Sequence, residues 1–449
     1  MKINQIYTVV VLAFGISIAP TLAQQELMLH SMPDVWHANS TNPAFFPEHK
    51  TILVGLPGIG LDAEHSGDVS YRDIFVKNGD QTVLDFGNII NKLQPVNEVR
   101  FEQRNETFSI GLKLPLKIML SAGHATRVNG SILYPKTLPE LLWNGNGPYI
   151  GQTLNIGLSA NVSSFNEWSI GLAKKFGKVT VGVRGKLLTG ISSLVTDPDH
   201  QTATVYTSPD IYQLTLNTDY GFHSSQIISA FDTSGLGFDL QLGGLKGDLF
   251  TKNTGAAFDF GVQVKLNDKW SFDAAVLDLG GSIKWDTRSN YYLSQGSYEY
   301  EGQVFPGSDI INGADSLDFE TKLDSLNDIF NFQKTPASYN SELPVRVYAG
   351  VGYQLSKRIS IGLSAYFSQR ENAEDTYAVG ANVRLQVLRW LSVGAMYSVN
   401  QRNAANIGFH VASKTGPVQL YFTSDNLLNA FTPKKSSVVN LRAGAALVF

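Results

Sequence analysis

The chain contains no cysteine. Disulfide frameworks, zinc–thiolate centres and a thiol nucleophile are therefore excluded. Charge is scarce as well: 16% of residues are charged and the net charge is −4, which leaves no basic surface for nucleic acid. Beyond the first two dozen residues, no apolar run reaches the roughly 18 residues that mark a membrane-spanning helix. What the chain has is glycine (41 residues) and aromatic side chains at 11%. That balance is neither collagen-like nor disordered, and it suits a long antiparallel β-protein of one or two domains.

The first segment, Met1–Ala23, has a basic start at Lys2, an apolar stretch from Ile6 to Ala19, and a small residue before Gln24. This is the pattern of a secretory signal peptide, so residues 1–23 are set apart from the fold. A lone N-terminal anchor is the alternative, but the apolar stretch is shorter than the roughly 20 residues a spanning helix needs.

A unit of apolar, any residue, apolar, Gly, apolar recurs along the chain. It appears at Phe108–Leu112, Leu154–Leu158, Trp168–Leu172, Val179–Val183, Phe258–Val262, Val347–Val351, Ile359–Leu363, Tyr377–Ala381, Leu391–Ala395, Ala405–Phe409 and Leu441–Ala445. Its internal period of two is that of a strand. Around Ile359 the alternation separates Ile359, Ile361, Leu363, Ala365 and Phe367 from Arg358, Ser360, Gly362, Ser364, Tyr366 and Ser368. A soluble sandwich would alternate too. Here the strands run to about ten residues, the length of a tilted spanning strand, and their apolar faces stay apolar to both ends. Trp168, Trp270 and Trp390 fall where an interfacial girdle would lie. Such strands must close into a barrel, because lipid offers no partner to a free edge. The glycines fall on the polar face. They either relieve crowding where strands coil, or leave the lumen open to solute.

The expected architecture is an all-β transmembrane antiparallel barrel of about 14 strands, within a range of 12 to 18. It occupies residues 51–449, with the stretches Thr202–Tyr220 and Ser282–Tyr300 ambiguous and Ile52–Ile59 the only clear strand before Arg100. Short turns are expected at Ser413–Gly416, Leu388–Arg389, Ser356–Lys357, Asn267–Lys269 and Gly177. Long outer connections are expected at Asp425–Ser437, Gln369–Asp375, Pro306–Leu343 and Phe222–Gly255, with short helices at Asp315–Phe332 and Thr137–Trp143. The last strand ends on Phe449, and Arg442, Gly444, Leu447 and Phe449 resemble the C-terminal signal read by the barrel assembly machinery. Val439, Leu441, Ala443, Ala445, Leu447 and Phe449 would face lipid.

The stretch Asn39–Pro47 resembles the Asn-Pro-Ala segment near the mature N-terminus of long-chain fatty-acid transporter barrels and of barrels associated with type IX secretion. With the repeated Gly unit, Thr423–Leu427 and the terminal Phe, the chain looks like an uncharacterised outer-membrane family related to those transporters. The resemblance implies that residues 24–50 fold into the lumen as a plug containing Asn42, Pro43 and Ala44. It supplies no contact residue for a fatty acid. An ordinary turn is the other reading of Asn42-Pro43.

No nucleophile elbow, phosphate loop, zinc-protease motif or EF-hand spacing is present, so neither a cofactor nor a metal site is expected. His410 with Ser398 and Asn400 could form a hydrolytic trio, and Asp197–His200 could hold a cation, but hydrated or turn-forming roles are the simpler readings. Arg184, Lys186, Arg346, Arg384 and Arg442 share the polar face with Asp259 and Asp273, as paired lumen charges or as a selectivity ring. The functional expectation is passive transport of a small hydrophobic molecule across the outer membrane, gated by the plug. The alternative is a barrel that anchors or assembles secretion or surface proteins. The expected partners are outer-membrane lipid, the assembly machinery, a small hydrophobic ligand, and a secretion-system or surface protein.

Overall fold

The computed structural model describes residues 27–47, 50–66, 69, 75–78, 81–84, 86–226, 228–232, 235–238, 249–300, 330–370, 375–400, 406–426 and 438–449. The expected signal peptide lies outside these residues. So do residues 315–329 of the helix expected at Asp315–Phe332, and residues 239–248 of the loop expected at Phe222–Gly255.

Fourteen antiparallel strands form a closed ring. In chain order they are β1 (Ile52–His65), β2 (Val96–Leu114), β3 (Ile118–Pro135), β4 (Ser159–Phe176), β5 (Val179–Thr207), β6 (Thr254–Lys265) and β7 (Trp270–Trp285). The second half comprises β8 (Val345–Gln354), β9 (Ile359–Gln369), β10 (Thr376–Leu388), β11 (Leu391–Asn400), β12 (Asn406–Thr415), β13 (Val418–Ser424) and β14 (Val438–Val448). Each strand pairs with its successor, and β1 closes on β14 through pairs such as Ile59↔Ala443 and Leu61↔Leu441. One end of the ring carries only short turns. Gly177 and Gly416 sit in two of them with φ of 58° and 59°, the left-handed region that glycine enters without strain. Phe449 lies at that end, its N–H donating to the Ile52 carbonyl and its own carbonyl accepting from the Thr51 N–H.

Exposure is inverted relative to a soluble protein. Ile170 is 75% exposed and Leu363 57%, while Asp278 is 0% and Glu167 1% exposed. A continuous apolar exterior on a ring without edges is what a bilayer requires of a β-structure. In the last strand Leu441 is exposed while Arg442, Ala446 and Val448 are buried.

Two strands that alternate poorly in the sequence are longer than expected. β1 continues to His65 past a register shift between Gly55 and Gly58, which breaks the period of two around Pro57. β2 begins at Val96, and its polar first half lies beyond the apolar belt. The ambiguous stretches are strands, but strands Leu214–Ser225 and Ser289–Tyr300 lie outside the ring. They extend the sheet from the long outer half of β5, where Thr204 faces Asn217, and they pair with each other. The unit at Leu154–Leu158 gives only a three-residue strand, Thr153–Asn155, on that extension, because β4 starts at Ser159 and leaves no length to span. Trp168 falls in mid-strand rather than at a strand end, since β4 runs on above it. Trp270 opens β7, and Trp390 occupies the turn before β11.

Candidate functional site: the filled lumen

Residues 27–47 occupy the inside of the ring. Leu27, Met28, Leu29, Met32, Trp36, Ala38, Ala44 and Phe45 are each at most 1% exposed. The segment contains a short helix at Leu27–His30 and a 3-10 turn at Trp36–Ser40. Neither is long enough to be stable alone, so packing against the wall must hold both. The Met28 N–H donates to Asp425 Oδ1 at 2.7 Å, at the long-loop end of β13. Lys113 Nζ donates to the Pro47 carbonyl at 2.6 Å, at the short-turn end of β2. Between these ties the chain dips to the short-turn mouth at Asp34. There Gln419 Nε2 donates to the Asp34 carbonyl at 3.0 Å and Arg384 Nη1 lies 3.3 Å from Asp34 Oδ2.

Asn42, Pro43 and Ala44 form a turn pressed against β5 and β6. Asn42 Oδ1 accepts from the Ala44 N–H at 2.9 Å, an Asx turn, while its Nδ2 donates to the Val262 and Ala274 carbonyls at 3.3 Å. The wall accommodates this through missing side chains. A Cβ on Gly261 would fall 2.1 Å from Asn42 Oδ1, and one on Gly182 would fall 2.5 Å from the Pro43 carbonyl. Gly111 makes the same allowance for Trp36, Gly408 for Met28, and Gly58 and Gly444 for His37. The recurrent glycines therefore do not leave an open lumen, nor do they serve coiling alone. Several seat the plug, and others make room for inward neighbours, as Gly394 does for His410 and Gly350 for Asp273.

A network of buried charges crosses the wall beside the plug. Asp278 lies 2.6 Å from Arg346 Nη2, 2.7 Å from Lys186 Nζ and 3.1 Å from Arg127 Nη1. Lys186 also lies 2.8 Å from Asp259, and Arg184 lies 3.3 Å from that carboxylate. Glu167 joins Arg104 at 3.0 Å and Arg127 at 2.9 Å. Burying ions is costly unless each is paired and hydrogen-bonded, and here each acid meets at least two cations. Asp278 reaches the lumen because it sits in a bulge at φ 59°, a conformation Asp tolerates, so that Leu277 and Asp278 both point inward. The five basic residues singled out from the sequence do not form one ring. Arg184, Lys186 and Arg346 belong to this network, Arg384 is at the plug's Asp34 turn, and Arg442 lies over Gly60. Arg104, Arg127, Glu167 and Asp278 were missed. The Gly280-Gly281 pair after Asp278 was the available sign of a bulge.

The remaining candidates separate. Ser398 pairs with Asn406 and His410 with Gly394, four residues apart along the strand, or roughly 13 Å. His410 Nδ1 instead lies 3.3 Å from the Met28 sulfur. Asp197 accepts from the Tyr291 hydroxyl at 2.7 Å and His200 lies 2.6 Å from Asp219, with no metal-binding group of three among the described residues. Two voids between plug and wall, lined by Trp36, His37, Arg104, Glu106 and Arg442 among others, hold no more than a few waters. An apolar cluster of Val162, Ala203, Tyr220, Phe222 and Tyr292, with Phe101, Phe330 and Phe332 packed on it, lies where the outer extension meets the wall.

Residues 43–425 match the profile described as a family of unknown function (DUF5723). No curated protein matches. Among solved structures, the Ralstonia pickettii toluene transporter TbuX is 11% identical, covering 92% of each chain, with a TM-score of 0.43. The Pseudomonas putida toluene transporter TodX is 11% identical over 96% of this chain and 95% of its own, with a TM-score of 0.43. A Pseudomonas aeruginosa FadL homologue is 10% identical over 96% and 98%, also with a TM-score of 0.43.

Proposed function

The chain belongs to the family of unknown function DUF5723, and we propose that it is an outer-membrane barrel that passes a small hydrophobic molecule, with the N-terminal segment as its gate. One observation carries the reading: the lumen is filled by the segment that precedes the first strand, which contributes no strand to the ring and is held inside it by side-chain and backbone contacts, in a barrel whose wall is complete without it. A ring of fourteen strands is wider than the roughly eight-stranded barrels that inward side chains fill by themselves, so this segment is what closes the bore. The apolar belt and the terminal Phe449 support insertion by the assembly machinery with the short turns on the periplasmic side. The aromatic cluster around Tyr220, Phe222 and Tyr292 supports a hydrophobic rather than a sugar-like or ionic solute.

The test is flux into liposomes of a fluorescent fatty acid and of a small sugar, with the full mature chain and with a chain lacking residues 24–50. Entry of the fatty acid, faster without the plug, supports the reading. If neither form passes either solute, transport is overturned. The small size of the voids beside the plug favours one other reading, a sealed barrel that anchors secretion or surface proteins. Its mark is a stoichiometric partner that co-purifies with an impermeable barrel.

A further inference from the structure

The short-turn end of the ring carries a circle of bases. Each of the six short turns presents at least one exposed cation: in chain order, Lys117, Lys178, Lys269, Lys357, Arg389 and Lys414. Arg358 adds a second beside Lys357. Among the described residues of these turns, Asp268 is the one carboxylate side chain. Within the described residues, Lys117, Lys178, Lys269, Lys357, Arg358 and Arg389 form no ion pair. The opposite end is mixed in sign. Asp199, Asp210, Asp286 and Glu299 are exposed there beside Lys284, Arg288 and Lys334, and Lys284 lies 3.0 Å from Asp286.

The bases stand where the apolar belt ends. Leu116, Phe176, Trp270, Leu355 and Trp390 are exposed within two residues of the first five of them. Lys174 marks the level most directly. It continues the lipid-facing column of Ile170 and Leu172, and its Nζ lies 5.3 Å from the centre of the Phe176 ring. A lysine so placed lays its stem along hydrocarbon and lifts its ammonium to the headgroups. Trp270, tilted against Tyr353 with ring centres 4.7 Å apart, is a side chain that settles at the same depth. The cations therefore stand at headgroup height, with the phosphate layer as their nearest counter-charge.

We propose that the short-turn rim binds the headgroups of anionic phospholipids, of the phosphatidylglycerol type, in the leaflet it faces. This rests on the membrane-barrel reading above and is independent of transport. The distribution of the bases favours lipid over an acidic protein partner. A docked protein covers one side of an end face, whereas the bases occur in every short turn around the ring. A protein also has no use for an exposed apolar side chain beside each base, whereas a bilayer meets both at once. A base at a headgroup favours a lipid of net negative charge about fivefold at low salt. With the other leaflet indifferent, the average over both leaflets is about threefold.

The test is the lipid shell of the mature chain, refolded into phosphatidylcholine bilayers that contain a trace of spin-labelled lipid. The spectrum separates lipid held at the protein from free lipid. The preference for labelled phosphatidylglycerol over labelled phosphatidylcholine is then read as a ratio. The expected ratio is about three at low salt and about one at about 1 M salt, where the Debye length is about 3 Å. The variant K178Q/K269Q/K357Q/R358Q/R389Q should lower it to below about 1.5 at low salt. The variant K136Q/K252Q/K284Q/R288Q/K334Q, which removes as many bases from the long-loop end, should keep it at about three. Heat-dependent gel mobility confirms that each form is a folded barrel. A parent ratio of one, or a short-turn variant that keeps the parent's ratio, would overturn the rim as a lipid site. An acidic protein that co-purifies with a barrel showing no lipid preference would assign the rim to that partner instead. If the folded parent holds no lipid at all, the membrane reading itself falls, whereas held lipid without preference removes the rim alone.

Discussion

Gly261 backs onto Asn42 so closely that a Cβ on the glycine would lie 2.1 Å from the asparagine Oδ1. A wall position and a plug position are thus fitted to each other at the level of one methyl group. The variants G261A and G182A are expected to fold as barrels with the Asn42 turn lifted from its seat, at about 1–3 kcal/mol of strain. Protease sensitivity of the plug measures this. G185A is the control, because the nearest atom to its Cβ is Phe258 Cε1 at 4.0 Å. If G261A leaves the plug as protected as G185A does, the seat is not what holds it.

Asp278 should be the costliest single charge to remove. It faces Arg127, Lys186 and Arg346 at once, so D278N leaves three buried cations sharing a neutral amide. Denaturant unfolding in detergent is expected to show a loss of about 3–5 kcal/mol. A loss below 1 kcal/mol would mean that water reaches the network.

R184K keeps the charge and loses the fork. The guanidinium donates to Asn39 twice and approaches Asp259, which a single ammonium cannot reproduce. Cleavage of the plug by added protease should rise severalfold while the barrel's thermal transition falls by only a few degrees, in line with a loss of about 1–2 kcal/mol. Equal protection in R184K and the parent would place the anchor elsewhere.

Phe449 is 54% exposed on the outside of the ring, while its backbone closes the seam. F449A keeps those hydrogen bonds and removes only the ring. Refolding from urea into liposomes should therefore proceed with little change, whereas assembly in cells should slow and unassembled chain accumulate. Normal assembly of F449A would show that the terminal aromatic is not read.

The wall was legible from residues because a period of two with lipid outside leaves a plain record: Ile359 to Phe367 needs no tertiary knowledge. The lumen was less so. That Glu167 meets Arg127 depends on register across β3 and β4, and that Asp278 points inward depends on a bulge. Neither is encoded in spacing along one strand. Strand Leu214–Ser225 shows the same limit from the other side, since its own sequence cannot say whether its neighbour completes the ring or extends beyond it. For the plug, the resemblance supplied Asn42-Pro43-Ala44, but its two imidazoles find their carboxylates only through contacts more than sixty residues distant in the chain.

The join between β1 and β14 has a mechanical side. Lys113 grips the plug's Pro47, the Lys113 N–H donates to the Thr51 carbonyl, and the Thr51 N–H donates to the carbonyl of Phe449. The tether of the plug and the final residue of the chain thus meet within a few residues at one rim. A pull on the plug is delivered straight to the stave joint where the first and last strands meet, so any load on the plug is borne by the hoop that keeps the ring closed.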